Sequence, residues 1–380
     1  MPRPAWVTRS AERAPAHGSR ARLAPAALVA LVALGALAHA DEAPLRAEPA
    51  RLAAQGLLVA IAAAGERLVA VGDRGIIVLS DDQGASWTQA VAVPTQALLT
   101  GVCFVDAHRG VAVGHDEVIL TSVDGGRTWT RTHYAPQAQR PLLDVWCDRS
   151  GRAIAVGAYS AYLTSRDAGA SWNEVAFRPA PRPPVSRGPS AVPTGAAAAG
   201  AAAASAAAAR AAEEESARGG YHLNRIVGAG AGRLYIAGEA GHLYRSDDGG
   251  VSWLTLASPY EGSFFDVLPL TDAALLALGL RGHLYRSADA GASWQQIDTG
   301  TVALLDGATQ LAAGAVAIVG FSGVVLLSHD DGRTFTLLQQ SDRTGLAAAL
   351  AVGNGRLVAV GEDGARVITL TAPPATRSGP

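Results

Sequence analysis

Six aspartates recur in one frame, Ser-x-Asp-x-Gly-x-(Ser/Thr)-(Trp/Phe): Asp82, Asp124, Asp167, Asp248, Asp289 and Asp330. Repeated carboxylates could act as general acids and bases, as in glycoside hydrolysis, where two of them flank the scissile bond. The frame points to a mechanical job instead. A carboxylate between Ser and Gly can accept backbone N–H groups of the turn it opens. The glycine (Gly84, Gly126, Gly169, Gly250, Gly291, Gly332) supplies a positive φ, and the closing aromatic buries a large apolar surface. Residues that recur in register are accounted for by the repeat, so these aspartates leave the list of catalytic candidates. So do His242 and His283, each in a Gly-His-Leu-Tyr-Arg-Ser phrase, with Tyr244, Tyr285, Arg245 and Arg286. No His-x-x-x-His or clustered Cys/His spacing suggests a metal centre, and no cofactor is expected.

The elements that position these residues follow from the spacing. The closing aromatics, Trp87, Trp129, Trp172, Trp253, Trp294 and Phe335, lie 42, 43, 81, 41 and 41 residues apart. A period of about 40 residues is one four-stranded propeller blade, and the doubled gap is one period plus an insertion. Six Asp-box (BNR) turns in register are specific, where one would be weak. Each unit also carries a β-branched phrase ending in Gly: Val69, Val111 and Val358 open VAVG, with variants at Ile154, Ile236, Leu275 or later, and Ala317. That phrase occurs seven times. The sequence therefore predicts an all-β fold, a seven-bladed β-propeller of four-stranded antiparallel blades with the boxes between third and fourth strands. The seventh unit, from Leu346 to Leu370, lacks a box and a fourth strand. The segment around Leu45 to Ala53 is expected to supply that strand and close the ring.

Residues 1–40 read as a signal peptide: Arg3, Arg9, Arg13, Arg20 and Arg22, an apolar run from Ala24 to Ala38, and a cleavage signature ending at Ala40. A periplasmic protein is expected. Without those residues, which hold five Arg and one Glu, the chain has 26 cationic and 32 acidic residues, net −6, and no Lys. Mild acidity without basic clusters argues against nucleic acid as a partner. Residues 41–371 are read as the propeller, 178–219 as a Pro- and Ala-rich disordered insertion between blades 3 and 4, and 372–380 as a disordered tail. Cys103 and Cys147 each follow a Leu-Leu pair by four residues, as equivalent positions of neighbouring blades would. Equivalent side chains point the same way around the ring, and packed sheets lie ~10 Å apart, so two buried free thiols are expected.

Function is expected where the symmetry breaks. The turns between second and third strands vary: Asp73-Arg74, His115-Asp116-Glu117, Ala158-Tyr159-Ser160, Glu239-Ala240, Leu280-Arg281, Phe321-Ser322 and Glu362-Asp363. They share one face of the disc with the connections from fourth to first strands, and the boxes lie on the other. Exposed loops on a rigid scaffold are the usual seat of binding. Arg74, Arg281 and Arg343 offer bidentate pairing and stacking, Tyr159 and Phe321 aromatic anchors, and His115 a further contact. No catalytic residue is assigned.

The phrase Phe104-Val105-Asp106…Gly110…Val113-Gly114…Ile119 through Trp129 resembles the photosystem II stability/assembly factor family. The likeness runs over residues 57 to 370 apart from the insertion. It implies a non-enzymatic, monomeric, seven-bladed propeller that binds a membrane-embedded protein complex through an Arg-bearing face. No small-molecule substrate is evident. The alternative is a sialidase-like glycoside hydrolase, which also carries Asp boxes. Such an enzyme opens with Arg-Ile-Pro near its start, whereas Arg225-Ile226-Val227 is mid-chain and lacks the Pro.

Overall fold

Short apolar runs closed by glycine fold into a meander, because each run is long enough for one strand and each glycine permits an immediate reversal. The computed structural model describes residues 45–181 and 220–370. The segment 1–40 read as a signal peptide, most of the segment read as an insertion (182–219) and the residues after 370 lie outside the described residues. Blade 1 comprises Leu58–Ala64, Arg67–Gly72, Ile77–Ser80 and Thr88–Gln89. Blade 2 comprises Leu99–Phe104, Gly110–Gly114, Ile119–Ser122 and Thr130–His133. Blades 3 to 6 repeat the antiparallel order, and blade 7 has three strands, Leu346–Gly353, Arg356–Gly361 and Gly364–Thr369. The chain is a seven-bladed propeller, as the seven VAVG-type phrases predict.

One register is common to all blades. The apolar residue opening each first strand faces the glycine that closes the second: Leu58 opposite Gly72, Leu99 opposite Gly114, Leu142 opposite Gly157, and so on to Leu346 opposite Gly361. A bulge follows at once. The glycine is required by close approach, since a Cβ on Gly72 would lie 2.0 Å from the Leu57 carbonyl oxygen. The second strands are buried almost throughout, so the core is the set of inter-blade layers. Blades 1 and 2 share one such layer, with Val69, Leu79, Val102, Leu120 and Trp129. Full burial of an aliphatic side chain is worth roughly 1.5–3 kcal/mol.

The boxes join neighbours. In blade 2, Ser122 Oγ donates to Asp124 Oδ1 (2.8 Å) and accepts the Gly126 N–H (2.9 Å), while Asp124 accepts the N–H and hydroxyl of Thr128 (2.9 and 2.6 Å). The other five boxes repeat this pattern. The Ser86 hydroxyl and then its backbone N–H hold Asp82 at about 2, and Ser171 does the same for Asp167. Each box glycine faces the preceding blade: Gly126 meets Leu79 and Val69 of blade 1, and Gly84 meets Val358 and Val367 of blade 7. The ring thus closes through the blade 1 box on blade 7.

Two expectations are corrected. Among the described residues, no strand from Leu45 to Ala53 pairs with blade 7. Residues 46–50 turn onto blade 1 instead: Ala47 N–H donates to the Val93 carbonyl, Ala50 N–H to Gln89 Oε1, and Gln89 and Gln96 amides to the Glu48 and Arg46 carbonyls, while Ala53 and Ala54 pack against Ala348, Val360 and Ala365 of blade 7 without adding a strand. Cys103 and Cys147 form a disulfide with Cα atoms 6.0 Å apart. Cys103 faces Val111 in its sheet, and the counterpart pair in blade 3 is Trp146 with Ile154. Cys147 is therefore one register position away from equivalence. Successive strand residues point to opposite faces, so the offset turns the two thiols toward each other across the gap between blades. The start of the insertion is also packed: Ala180 pairs with blade 4 through the Trp253 carbonyl and the Thr255 N–H, just after Phe177, which sits against Tyr162, Tyr244 and Trp253.

Candidate functional site

The variable turns all follow a tight path from the second strand into the third. In six blades the middle residue is left-handed: Arg74, Asp116, Tyr159, Ala240, Arg281 and Ser322 have φ between 51° and 60°. That conformation lifts the middle side chain away from the strands. The Arg74 side chain is 84% exposed and lies 3.6 Å from Asp73 of the same turn. Arg281 is exposed at the tip of blade 5. Tyr159 is 46% exposed and meets His222 edge-on, ring centroids 5.1 Å apart.

The remaining predicted residues fall on the same face. His115 is exposed at the start of the blade 2 turn, its N–H on the Leu98 carbonyl. Phe321 is 45% exposed at the start of the blade 6 turn. Arg343 lies in the connection from blade 6 to blade 7, exposed, with its backbone against Gly323 of the Phe321 turn. The structure therefore brings Arg343 to the turn that carries Phe321, while Arg74, His115, Tyr159 and Arg281 stand on separate blades. The boxes occupy the opposite face, packed on the first-to-second-strand turns, as in Gly125 N–H to the His108 carbonyl.

Blades 2 and 3 place Glu117 and Ser160 at a positive φ that the other blades give to glycine. Such strain persists only where surroundings hold it. Glu117 is buried and takes the Arg140 Nε at 2.7 Å, with His133 Nε2 at 3.3 Å. Arg140 also reaches Glu174 at 2.8 Å, tying blade 2 to blade 3. The Ser160 N–H donates to the Tyr221 carbonyl.

Sequence reasoning missed a charged cluster in the central channel. Two residues after each first-strand leader stand Ala60, Gly101, Asp144, Arg225, Asp266, Gly307 and Ala348. Lining these positions up around the ring would have exposed the odd charges. Arg225 Nε lies 3.5 Å from Asp144 and 3.3 Å from Asp266. Each aspartate also accepts a backbone N–H of the next blade, Ile226 for Asp144 and Ala308 for Asp266, both at 2.9 Å. Beside the cluster a cavity of about 320 Å³ reaches the disulfide and Trp146. Loss of solvent pushes Asp266 up to about 6 against the pull of Arg225, and pushes Asp306, which also faces Asp266, up to about 7.

The sign of the pH effect follows. A carboxyl raised above its unfolded value of about 3.9 holds a proton in the fold that the unfolded chain gives up, so stability falls as pH rises from about 4 to about 7. The box aspartates act oppositely, their contribution being lost as pH falls from about 4 toward 2. The melting temperature is expected to be higher near pH 5 than near pH 8, and Asp306→Asn to flatten that decline. Thermal denaturation across the window checks it; equal slopes in both proteins contradict it.

Fold and loop face together define the class: a seven-bladed β-propeller presenting a variable, Arg- and aromatic-bearing turn face. Residues 80–186, from the blade 1 box through blade 3, match the family model of the photosynthesis system II assembly factor YCF48. The resemblance read from the sequence holds at that level. Among solved structures, YCF48 bound to a D1 peptide is similar at TM-score 0.61 and 14% identity, covering 86% of this chain and 97% of that one. YCF48 from Cyanidioschyzon merolae gives 0.61 and 16%, covering 86% and 98%. The GH74 xyloglucanase from Xanthomonas campestris gives 0.59 and 15%, covering 84% of this chain and 53% of the enzyme, about half its length. At these identities the likeness shows the fold. No curated protein matches the sequence.

Proposed function

We propose that this protein is a non-enzymatic docking module, exported to the periplasm, whose variable-turn face binds an extramembrane segment of a membrane protein complex. The observation that carries the reading is the exposed presentation of Arg74, Tyr159 and Arg281 at left-handed turn tips. Arg343 and Phe321 extend that surface over blades 6 and 7. Arg and aromatic side chains are the types enriched at interface centres. The match to the YCF48 model and the likeness to a YCF48 structure bound to a D1 peptide support a protein segment as ligand. The disulfide fits an oxidising compartment.

Substituting Arg74, Arg281 and Arg343 together by Glu should weaken co-purification of the membrane partner by at least about tenfold, with the melting temperature unchanged. Full retention of the partner would remove this face from the argument. The xyloglucanase likeness and the Asp boxes favour a second reading, glycoside hydrolysis. Turnover of a sialoside or of xyloglucan by the purified protein, lost in the same triple variant, would establish it in place of the first.

A further inference from the structure

The last strand of blade 7, Gly364–Thr369, is the one third strand among the described residues with no fourth strand beside it. Natural sheets guard such edges with charges, proline, bulges or brevity, because unpaired N–H and C=O groups template another strand. None of these guards is present. The strand is six residues long, in unbroken register from Gly364 opposite Gly361 to Thr369 opposite Arg356. It contains no proline, and the guanidinium of its single charged residue, Arg366, is turned onto Asp342 and the Thr344 carbonyl. The two-residue turn Glu362-Asp363 fixes which groups face outward. Gly361 and Gly364 form the hydrogen-bonded pair, so the N–H groups of Ala365, Val367 and Thr369 point away from the sheet. Val367 is 37% exposed and Thr369 is exposed.

The other six blades show what belongs at this position: a short extended strand, as Thr336–Gln339 lies beside Val324–Ser328. In the segment of this chain best placed to supply it, residues 46–50 are bonded to blade 1, and Ala53 and Ala54 touch only the Gly364–Ala365 end of the strand. The residues after Leu370 read Thr-Ala-Pro-Pro, and proline lacks the N–H that a ladder needs. We propose that this edge is a docking site for an extended segment of another protein, which adds as the fourth strand of blade 7 by backbone hydrogen bonding at Ala365, Val367 and Thr369. The segment is short and alternating, with apolar side chains that cover Val367. The site lies on an outer blade edge and does not rest on the reading of the variable-turn face.

A synthetic peptide with the sequence of residues 328–340, carrying the box and fourth strand of blade 6, is the probe. Hydrogen exchange of the purified protein should show rapid exchange at the outward amides of Ala365, Val367 and Thr369, slowed at least about tenfold by the peptide. Val367→Pro removes an outward N–H and no internal bond, and should abolish that protection with the remaining exchange pattern unchanged. Val367→Lys, which keeps the backbone and adds a guarding charge, should weaken it and serves if the proline variant does not fold. Absence of protection by the peptide overturns the proposal. So does protection of Ala365, Val367 and Thr369 in the free monomer, which would mean that the chain fills its own edge. Protection that appears only with a sedimenting dimer would assign the edge to a second copy and overturn it as well.

Discussion

Trp129→Ala is expected to lower the free energy of unfolding by about 3–5 kcal/mol, the cost of truncating a large buried aromatic. Trp129 is 5% exposed, donates its indole N–H to the Gly126 carbonyl at 2.9 Å, and meets Phe104 edge-on at 6.2 Å. It fills the layer shared by blades 1 and 2, so the cavity left behind opens an inter-blade seam. Asp124→Ala removes only turn-capping hydrogen bonds and should cost on the order of 1 kcal/mol. Urea unfolding of the two variants beside the parent separates the effects. Equal midpoints for Trp129→Ala and the parent would show that the box aromatic does not hold the blades together.

Loss of the Cys103–Cys147 bridge should be comparably severe. The cysteines are 44 residues apart, and closing a loop of that length restricts the unfolded chain by ~4 kcal/mol in the loop-entropy account. The double Cys→Ser variant, or the parent under reductant, is expected to unfold at markedly lower denaturant concentration. Intact mass before and after reduction reports the bond directly, through the gain of two hydrogens. An unshifted mass and an unshifted midpoint together would show that the thiols are free in solution.

Most of the fold was legible because its signals are local. A box needs only the eight residues from Ser122 to Trp129 to set its hydrogen bonds, and each VAVG-type phrase meets its neighbours through turns of a few residues. Counting those phrases gave seven blades, and alternating the turns around each blade gave the two faces. The placement of Arg74, His115, Tyr159, Arg281, Phe321 and Arg343 on one face followed from that topology. Their mutual arrangement did not, because it depends on which blade carries each residue around the ring.

The sequence by itself determined the repeating unit, the number of blades and the face on which variation collects, since these rest on short-range turns and on strand periodicity. Tertiary structure decided everything that depends on one blade meeting another. A one-residue offset between the inner strands of blades 2 and 3 turned two apparently equivalent cysteines into facing partners. Hydrogen bonds to Gln89 and Val93 drew residues 47–50 onto blade 1 and left blade 7 with three strands. Arg225 met Asp144 and Asp266 only because the ring brings blades 3, 4 and 5 around one axis. Contacts of that kind join residues 40 or 80 positions apart, where register and curvature, which no local motif encodes, choose the partner.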